Sequence, residues 1–273
     1  MPSMKCCTRK FNRAERTGFF FLAAAAAIFF VSSGLAITLL LFFVALCVAA
    51  CFFPRMNFLG PVISRGRTGK NSVAITFDDG PSAVTTLAIL ELLDRHSVKA
   101  TFFVSGVHAL DHPELIDEIV RRGHGVGNHS LNHDPFVMLK SYRVLYREVS
   151  EAQRILRKMG IETTAFRPPV GIINPKLHPV LNQMGLVCMN FSCRAWDAGN
   201  FRIRNLAFKI MRKVKDGDII LLHDTAPRRL EDTRSLLREI DAILTGISKK
   251  GLRVIPLNDL IRHEYERREK NFD

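Results

Sequence analysis

The pattern of apolar and polar positions divides the chain in two. From Phe19 to Phe53 no charged residue occurs, whereas beyond that run short apolar stretches alternate with mixed, helix-like ones. As one helix, the uncharged run would measure about 52 Å at about 1.5 Å per residue. A bilayer core is about 30 Å thick and takes roughly 20 residues. A secretory signal core has only about 7–15. The pattern therefore predicts a membrane span. A single tilted crossing is the expected form, with its core at 35–53 and the Ala-rich stretch 23–27 near the cytoplasmic interface. The alternative is a hairpin turning at Ser32-Ser33-Gly34, whose first arm, 19–31, would be only about 20 Å long.

The segment 54–72, with its Pro, Gly and basic residues, reads as a linker. After it, strand-like runs are expected at 73–77, 100–104, 125–128, 165–167, 186–191, 219–222 and 253–255, with helices between them. Leu87, Leu90 and Leu93 recur every third residue, Ile116, Ile119 and Val120 lead into Gly123, and Ile203, Leu206, Ala207, Ile210, Met211 and Val214 form an apolar stripe. Arg202, Lys209, Arg212 and Lys213 lie opposite that stripe, either as a solvated face or as a contact for anionic polymer or lipid. About seven strand–helix alternations imply parallel strands joined by right-handed crossovers, either an open sheet or a barrel. Either way, functional residues belong just beyond the carboxyl ends of the strands. The organisation expected is a basic flank (1–18), a membrane segment (19–53), the linker (54–72), a catalytic-sized α/β domain (73–260) and a charged tail (261–273).

Composition narrows the classes. Of 273 residues, 47% are hydrophobic and 24% charged, which excludes a disordered chain. The net charge of +13 would suit a nucleic-acid binder. However, residues 1–70 hold nine Lys/Arg against one acid, and the remainder 30 against 25. Most of the excess thus flanks the membrane segment, and nucleic acid is not the expected partner. Basic residues on both sides of the segment weaken the positive-inside signal; one crossing would place the α/β domain outside the cytoplasm. Six cysteines are too few for a disulfide scaffold. Cys6 and Cys7 are free thiols or acylation sites, Cys51 ends a stretch resembling a lipoprotein cleavage box, and Cys188 and Cys193 read as buried small hydrophobes.

Polar clusters end five of the predicted strands: Thr76-Phe77-Asp78-Asp79-Gly80-Pro81, His129-Ser130-Leu131-Asn132-His133, Arg167-Pro168-Pro169-Val170-Gly171, Trp196-Asp197 and Leu221-Leu222-His223-Asp224. Each alone could be a turn or a packed residue. Two His at i, i+4 can also share one side of a helical turn and hold a metal. Presented together at one rim, the clusters point to chemistry.

Their order resembles the polysaccharide deacetylase family, carbohydrate esterase family four, over about residues 71–260. Ala100-Thr101-Phe102-Phe103 and Gly123-His124-Gly125-Val126-Gly127-Asn128-His129-Ser130 extend the likeness. The resemblance implies an α/β fold, a distorted, incomplete (β/α) barrel. It implies Asp79, His129 and His133 as metal ligands, Asp78 as general base and Arg167 as the cation that tethers it. It further implies His223 as general acid paired with Asp197, and Leu221 as the wall for the acetyl methyl; His124 is read as structural. Val170 stands where the family has an aromatic, although its backbone N–H could still serve an oxyanion. Arg194 and Ala198 replace an Asp and a Trp, with Trp196 beside the retained Asp197, so the substrate groove departs more than the chemistry.

Two His and one carboxylate leave a metal open to water, as catalytic sites do. The N/O ligand set suits Zn²⁺ foremost, with Co²⁺ or Ni²⁺ as alternatives. The function expected is a membrane-anchored deacetylase of N-acetylated amino-sugar polymers such as peptidoglycan or chitin-like glycan. A deacetylase or deformylase of a lipid-linked amino sugar is the alternative, and a non-catalytic glycan-binding protein of the same fold is a second.

Overall fold

The computed structural model describes residues 12–67 and 69–262. Cys6, Cys7, most of the basic flank and most of the tail lie outside the described residues. The chain forms two compact units, one running to Pro61 and including Ile172–Pro175, the other comprising Val62–Gly171 and the chain from Lys176 onward.

In the first unit, the long uncharged run is not one helix. α1 (Arg13–Phe29) and α2 (Ser33–Phe52) are separated at residues 30–32. Asn12 begins α1 with a capping box: its side-chain oxygen accepts from the Glu15 N–H, and its own N–H donates to Glu15 Oε2, both at 2.8 Å. Ser32 takes an extended conformation and its Oγ accepts from the Leu35 N–H at 3.3 Å, so α2 starts afresh. α1 folds back along α2. Phe21 lies 6.1 Å from Phe42 and 5.2 Å from Phe43, centroid to centroid. Gly18 permits the approach, because a Cβ there would sit 3.0 Å from the Phe43 ring. The start of α1 returns to the chain beyond α2, where Ala14 N–H donates to Phe58 O at 3.0 Å and Asn12 Nδ2 to Leu59 O at 3.4 Å. The uncharged run is thus a helical hairpin, and α2 is the one helix among the described residues long and apolar enough for a crossing. A serine cap is enough to break the otherwise apolar run. α2, at 20 residues and a mean hydropathy of 2.9, is long and apolar enough to cross a membrane.

The second unit is built on nine strands among the described residues: β1 (Val62–Ile63), β2 (Ser72–Asp78), β3 (Thr101–Val104), β4 (Gly125–Asn128), β5 (Ala165–Phe166), β6 (Val187–Met189), β7 (Cys193–Arg194), β8 (Ile219–His223) and β9 (Arg253–Val254). They form one parallel sheet in the order β1-β6-β5-β4-β3-β2-β8-β7, with β9 also paired to β2. No pair joins β1 to β7 among the described residues, so the sheet curls without closing. The helices α3 (Thr86–Arg95), α4 (Gly106–Asp111), α5 (Pro113–Arg121), α6 (Tyr142–Lys158), α7 (Leu177–Gln183), α8 (Leu206–Met211) and α9 (Thr233–Lys249) fill the connections.

Seven strands were expected, and the two additional ones are short. β1 comes from the segment read as linker: Val62 and Ile63 pair with Cys188 and Met189. β7 carries Cys193, which lies just beyond the strand expected at 186–191. Both cysteines are buried and neither forms a disulfide. The predicted helix carrying the 203–214 stripe is reduced to the six residues of α8.

β2 is buried along its whole length, so its period of two separates two interiors. Val73, Ile75 and Phe77 join the large cluster beneath α3 and α9. Ala74 faces the inner cluster with Phe103, Met189 and Ile219. Thr76 and Asp78 share that inward parity, which directs the end of the strand to the barrel axis. Gly127 on β4 makes room there: a Cβ would fall 2.5 Å from the Phe103 ring.

Candidate active site

The ends of β2, β4, β8 and the loops after β5 and β7 converge on one cavity of about 580 Å³. Asp78, Asp79, His129, His133, Val170, Trp196, Asp197, Leu221 and His223 all line it. Arg167 lies beneath its floor, fully buried. The candidate metal-binding, catalytic and substrate-contacting residues named from the sequence are therefore brought to one place.

Asp79 leaves β2 with a φ of 72°, so its side chain departs from the strand parity that Asp78 keeps. Asp79 Oδ1 lies 3.2 Å from His129 Nε2 and 2.9 Å from His133 Nε2. The two imidazoles do not meet on a helical turn, as their spacing had suggested. Residues 129–133 form a loop in which Ser130 (φ 70°) and His133 (φ 51°) are left-handed. Side chains pin this loop: Asn128 Oδ1 accepts from Ser130 N–H at 2.9 Å, and Ser130 Oγ from His133 N–H at 3.2 Å. Such local acceptors compete with a helical turn.

Three donor atoms, one each from Asp79, His129 and His133, lie within 4.8 Å of one another. His129 Nδ1 is 2.8 Å from the Arg167 carbonyl, which can only accept. Nε2 is then the unprotonated nitrogen facing the cluster, the tautomer a metal requires. Burial would raise the Asp79 carboxyl, but its hydrogen bonds to His129 and His133 outweigh that and hold it well below the usual carboxylate range. Burial opposes the charge on His133, and Asp79 nevertheless raises its pKa. An ionised carboxylate and two imidazoles in this arrangement fit a divalent cation.

Asp78 turns the other way. Its Oδ1 accepts from the Arg167 guanidinium at 2.5 Å, while its Oδ2 is 3.7 Å from His129 Nε2. Arg167 also donates to Thr76 Oγ1 at 2.8 Å and Asn190 O at 3.3 Å, and its guanidinium carbon lies 3.9 Å above the Phe103 ring. Burial lowers the Arg167 pKa, against the charge of Asp78. Removing either partner would leave the other charge buried and unmatched.

Across the cavity, His223 Nδ1 is 2.7 Å from Asp197 Oδ2. Burial alone would lower the His223 pKa, but the hydrogen bond and charge of Asp197 dominate and bring it to about 9. Leu221, two residues earlier on β8, is buried at the cavity wall, whereas Trp196 is exposed at the rim with Arg194 stacked 3.2 Å from its ring centroid. Val170 is half exposed and has a φ of 53°, an unusual conformation for a β-branched residue. Strained backbone gathers here: Asp79, Ser130, His133, Val170, Trp196, Ala198 and Asn200 all have positive φ.

Several supporting residues carried no assigned role in the sequence reading. Asp224 is wholly buried, accepts from Thr85 Oγ1 at 2.7 Å and Thr86 Oγ1 at 2.6 Å, and its N–H donates to Asp78 O at 2.8 Å. Burial pushes its carboxyl up to about 6, against those hydroxyls. Asn200 Nδ2 donates to the carbonyls of His223 and Thr225 at 3.0 and 2.8 Å. Glu148 accepts from the Asn132 N–H and side chain at 3.0 and 2.7 Å, steadying the 129–133 loop. His108 Nδ1 lies 2.8 Å from Asp79 O. Adjacency of Asp224 to His223 was the only sequence signal among them. His124 is structural as expected: buried, with Nδ1 accepting from Ala100 N–H at 3.1 Å.

A curled, unclosed parallel sheet with these groups along its carboxyl edge is the architecture of the carbohydrate esterase family four proteins. The profile described as polysaccharide deacetylase matches residues 65–189. The chain is 37% identical over 206 residues to a chitooligosaccharide deacetylase of Sinorhizobium fredii, covering 72% of this chain and 95% of that one. It is 30% identical over 217 residues to the peptidoglycan-N-acetylglucosamine deacetylase PgdA of Listeria monocytogenes, covering 78% of this chain but only 43% of the Listeria protein. This chain thus matches less than half the length of that relative. Among solved structures, the peptidoglycan N-acetylglucosamine deacetylase Bc1960 superposes with a TM-score of 0.66 at 28% identity, covering 74% of this chain and 92% of that one. The chain belongs to the polysaccharide deacetylase family.

Proposed function

We propose that this protein is a metal-dependent hydrolase that removes N-acetyl groups from amino-sugar glycans of the peptidoglycan or chitin type. The observation that carries this reading is the placing of Asp78 and the Asp79–His129–His133 cluster opposite the His223–Asp197 pair across one cavity. A non-catalytic binder would need neither a tethered carboxylate nor a paired histidine there.

Asp79, His129 and His133 would hold the cation, with Zn²⁺ the first choice for this ligand set. When bound, it would acidify water and polarise the acetyl carbonyl. The chain's own groups do the rest. Asp78, fixed by Arg167, takes a proton from the attacking water as its oxygen bonds to the acetyl carbon. The Val170 N–H donates to the carbonyl oxygen as negative charge develops there. Leu221 packs against the acetyl methyl and Trp196 offers a platform to a sugar ring. His223, kept protonated by Asp197, gives its proton to the nitrogen as the C–N bond breaks. Acetate and a free amine leave. Incubating the full chain with N-acetylated chitooligosaccharides and with peptidoglycan, then reading glycan masses, tests this. Loss of acetyl groups supports it, and unchanged masses with metal-loaded protein count against it.

The protein is membrane-anchored in this reading, through α2, with a peptidoglycan substrate requiring the catalytic unit outside the cytoplasm. A second reading is favoured by the hairpin, since the contacts of Asn12 and Ala14 with Leu59 and Phe58 bring Arg13 and Arg16 to the same end of the hairpin as Arg55. Flanks rich in Lys and Arg tend to stay in the cytoplasm. There the substrate would be a lipid-linked amino sugar losing an acetyl or formyl group. Reporters fused at each end separate the readings: activity only outside the cytoplasm for the C-terminal fusion supports the first, and cytoplasmic activity at both ends supports the second.

A further inference from the structure

A second cavity, of about 650 Å³, adjoins the catalytic one, and Phe201 and Arg202 line both. It carries Arg202, Arg204, Lys209, Arg228 and Arg229 against Asp232 and Glu239. The two acids leave an excess of three positive charges, and neither is paired with one of these cations among the described residues. Glu239 is committed to the backbone, accepting from Asn205 N–H at 3.0 Å and Ala207 N–H at 2.8 Å. Arg229 reaches Glu231 at 3.4 Å on the exposed surface, whereas Arg202, Arg204, Lys209 and Arg228 make no ion pair among the described residues. Five cations from two separate segments, 202–209 and 228–229, thus face one groove that opens onto the catalytic pocket.

We propose that this groove binds a phosphoryl group carried by the substrate, so that the amino sugar whose acyl group is removed belongs to a sugar phosphate or a phosphate-linked glycan. This rests on the deacetylase reading above and names its substrate class. A single carboxylate would be matched by one arginine. Four cations without partners call for an anion of higher charge, and guanidinium forks suit phosphate oxygens. The shared Phe201 and Arg202 place that anion next to the sugar being deacylated, on the side of the cavity that also holds Asp197. The departures of this chain from its family, Arg194 and Ala198 about Trp196, lie on the same side.

The test compares three ligands on the full chain held in phosphatidylcholine nanodiscs: triacetylchitotriose, triacetylchitotriose 1-phosphate and short-chain phosphatidylglycerol. Binding is read by calorimetry and acetate release in parallel. The 1-phosphate is expected to bind at least about tenfold more tightly than the neutral trisaccharide, and the preference should weaken with salt. Arg204→Ala/Arg228→Ala should bring the ratio of the two dissociation constants close to one, and Arg204→Lys/Arg228→Lys should retain much of it. Equal binding of the two sugars by the native protein overturns the proposal, as does a preference that survives the double alanine variant. Arginine-dependent phosphatidylglycerol binding that displaces the 1-phosphate would make the groove a lipid-headgroup site and also overturn it. Tight, arginine-dependent binding of the 1-phosphate without acetate release from either sugar would sustain the groove and reject the deacetylase reading.

Discussion

The two sides of the catalytic cavity use the same residue types to opposite ends. On one side the carboxylate of Asp79 draws two imidazoles together, and His129 is turned so that its bare nitrogen faces the cluster. On the other, Asp197 accepts from Nδ1 of His223 and keeps that ring charged. An Asp beside a His is therefore not a role in itself. Both rings engage a partner through Nδ1, so the difference lies in the rest of the setting: His129 turns Nε2 toward Asp79 and His133, whereas the charge of Asp197 stabilises the protonated ring of His223.

Removing a proposed metal ligand should have the largest effect. His129→Ala or His133→Ala should abolish divalent-metal retention, measured by elemental analysis of protein never exposed to chelator, and deacetylation with it. The sheet core lies elsewhere, so circular dichroism should remain native. Full metal content in both variants would refute the assignment of the cluster.

Asp78→Asn should keep the metal and lose the proton acceptor, lowering the deacetylation rate roughly 10²–10⁴-fold. Its partner gives a control: Arg167→Leu removes the tether and strands the Asp78 charge in the interior, so thermal denaturation should fall clearly below that of the native protein. A normal melting temperature for Arg167→Leu would show that the ion pair is less isolated than its burial implies.

The smallest effect expected is a displacement rather than a loss. His223 is protonated below about 9 and the rate should fall as pH rises through that value. Asp197→Asn removes the negative charge that raises the pKa. The alkaline limb of the rate profile should move to lower pH while the acid limb stays. An alkaline limb that does not move would leave His223 as a positioning residue.

Much of this site could be read from one sequence because its members sit at strand ends, and five such ends were visible as polar breaks after apolar runs. The parity of β2 even predicts that Asp78 and Asp79 diverge, although the left-handed turn at Asp79 enlarges the divergence beyond an extended chain. Other features left no pattern. Two-residue strands such as β1 and β7 have no periodicity to detect. The turn at residues 30–32 left only the short polar stretch Ser32-Ser33-Gly34 in an apolar run, enough to raise a hairpin as an alternative, and the cap formed by Ser32 sets where α2 begins. The convergence of His129 and His133 depends on side chains of Asn128 and Ser130 acting on their own backbone, which spacing alone reports as a helix.

The division of labour across the cavity is tested most directly by comparing Asp78→Asn and His223→Ala on two leaving groups, an N-acetyl amino sugar and an activated aryl acetate. An aryl oxide departs without a proton, whereas a sugar amine does not. His223→Ala should therefore lose far more activity on the amide than on the ester, and Asp78→Asn should lose comparable activity on both. Equal losses for His223→Ala on the two substrates would contradict the assignment of its proton to the leaving nitrogen.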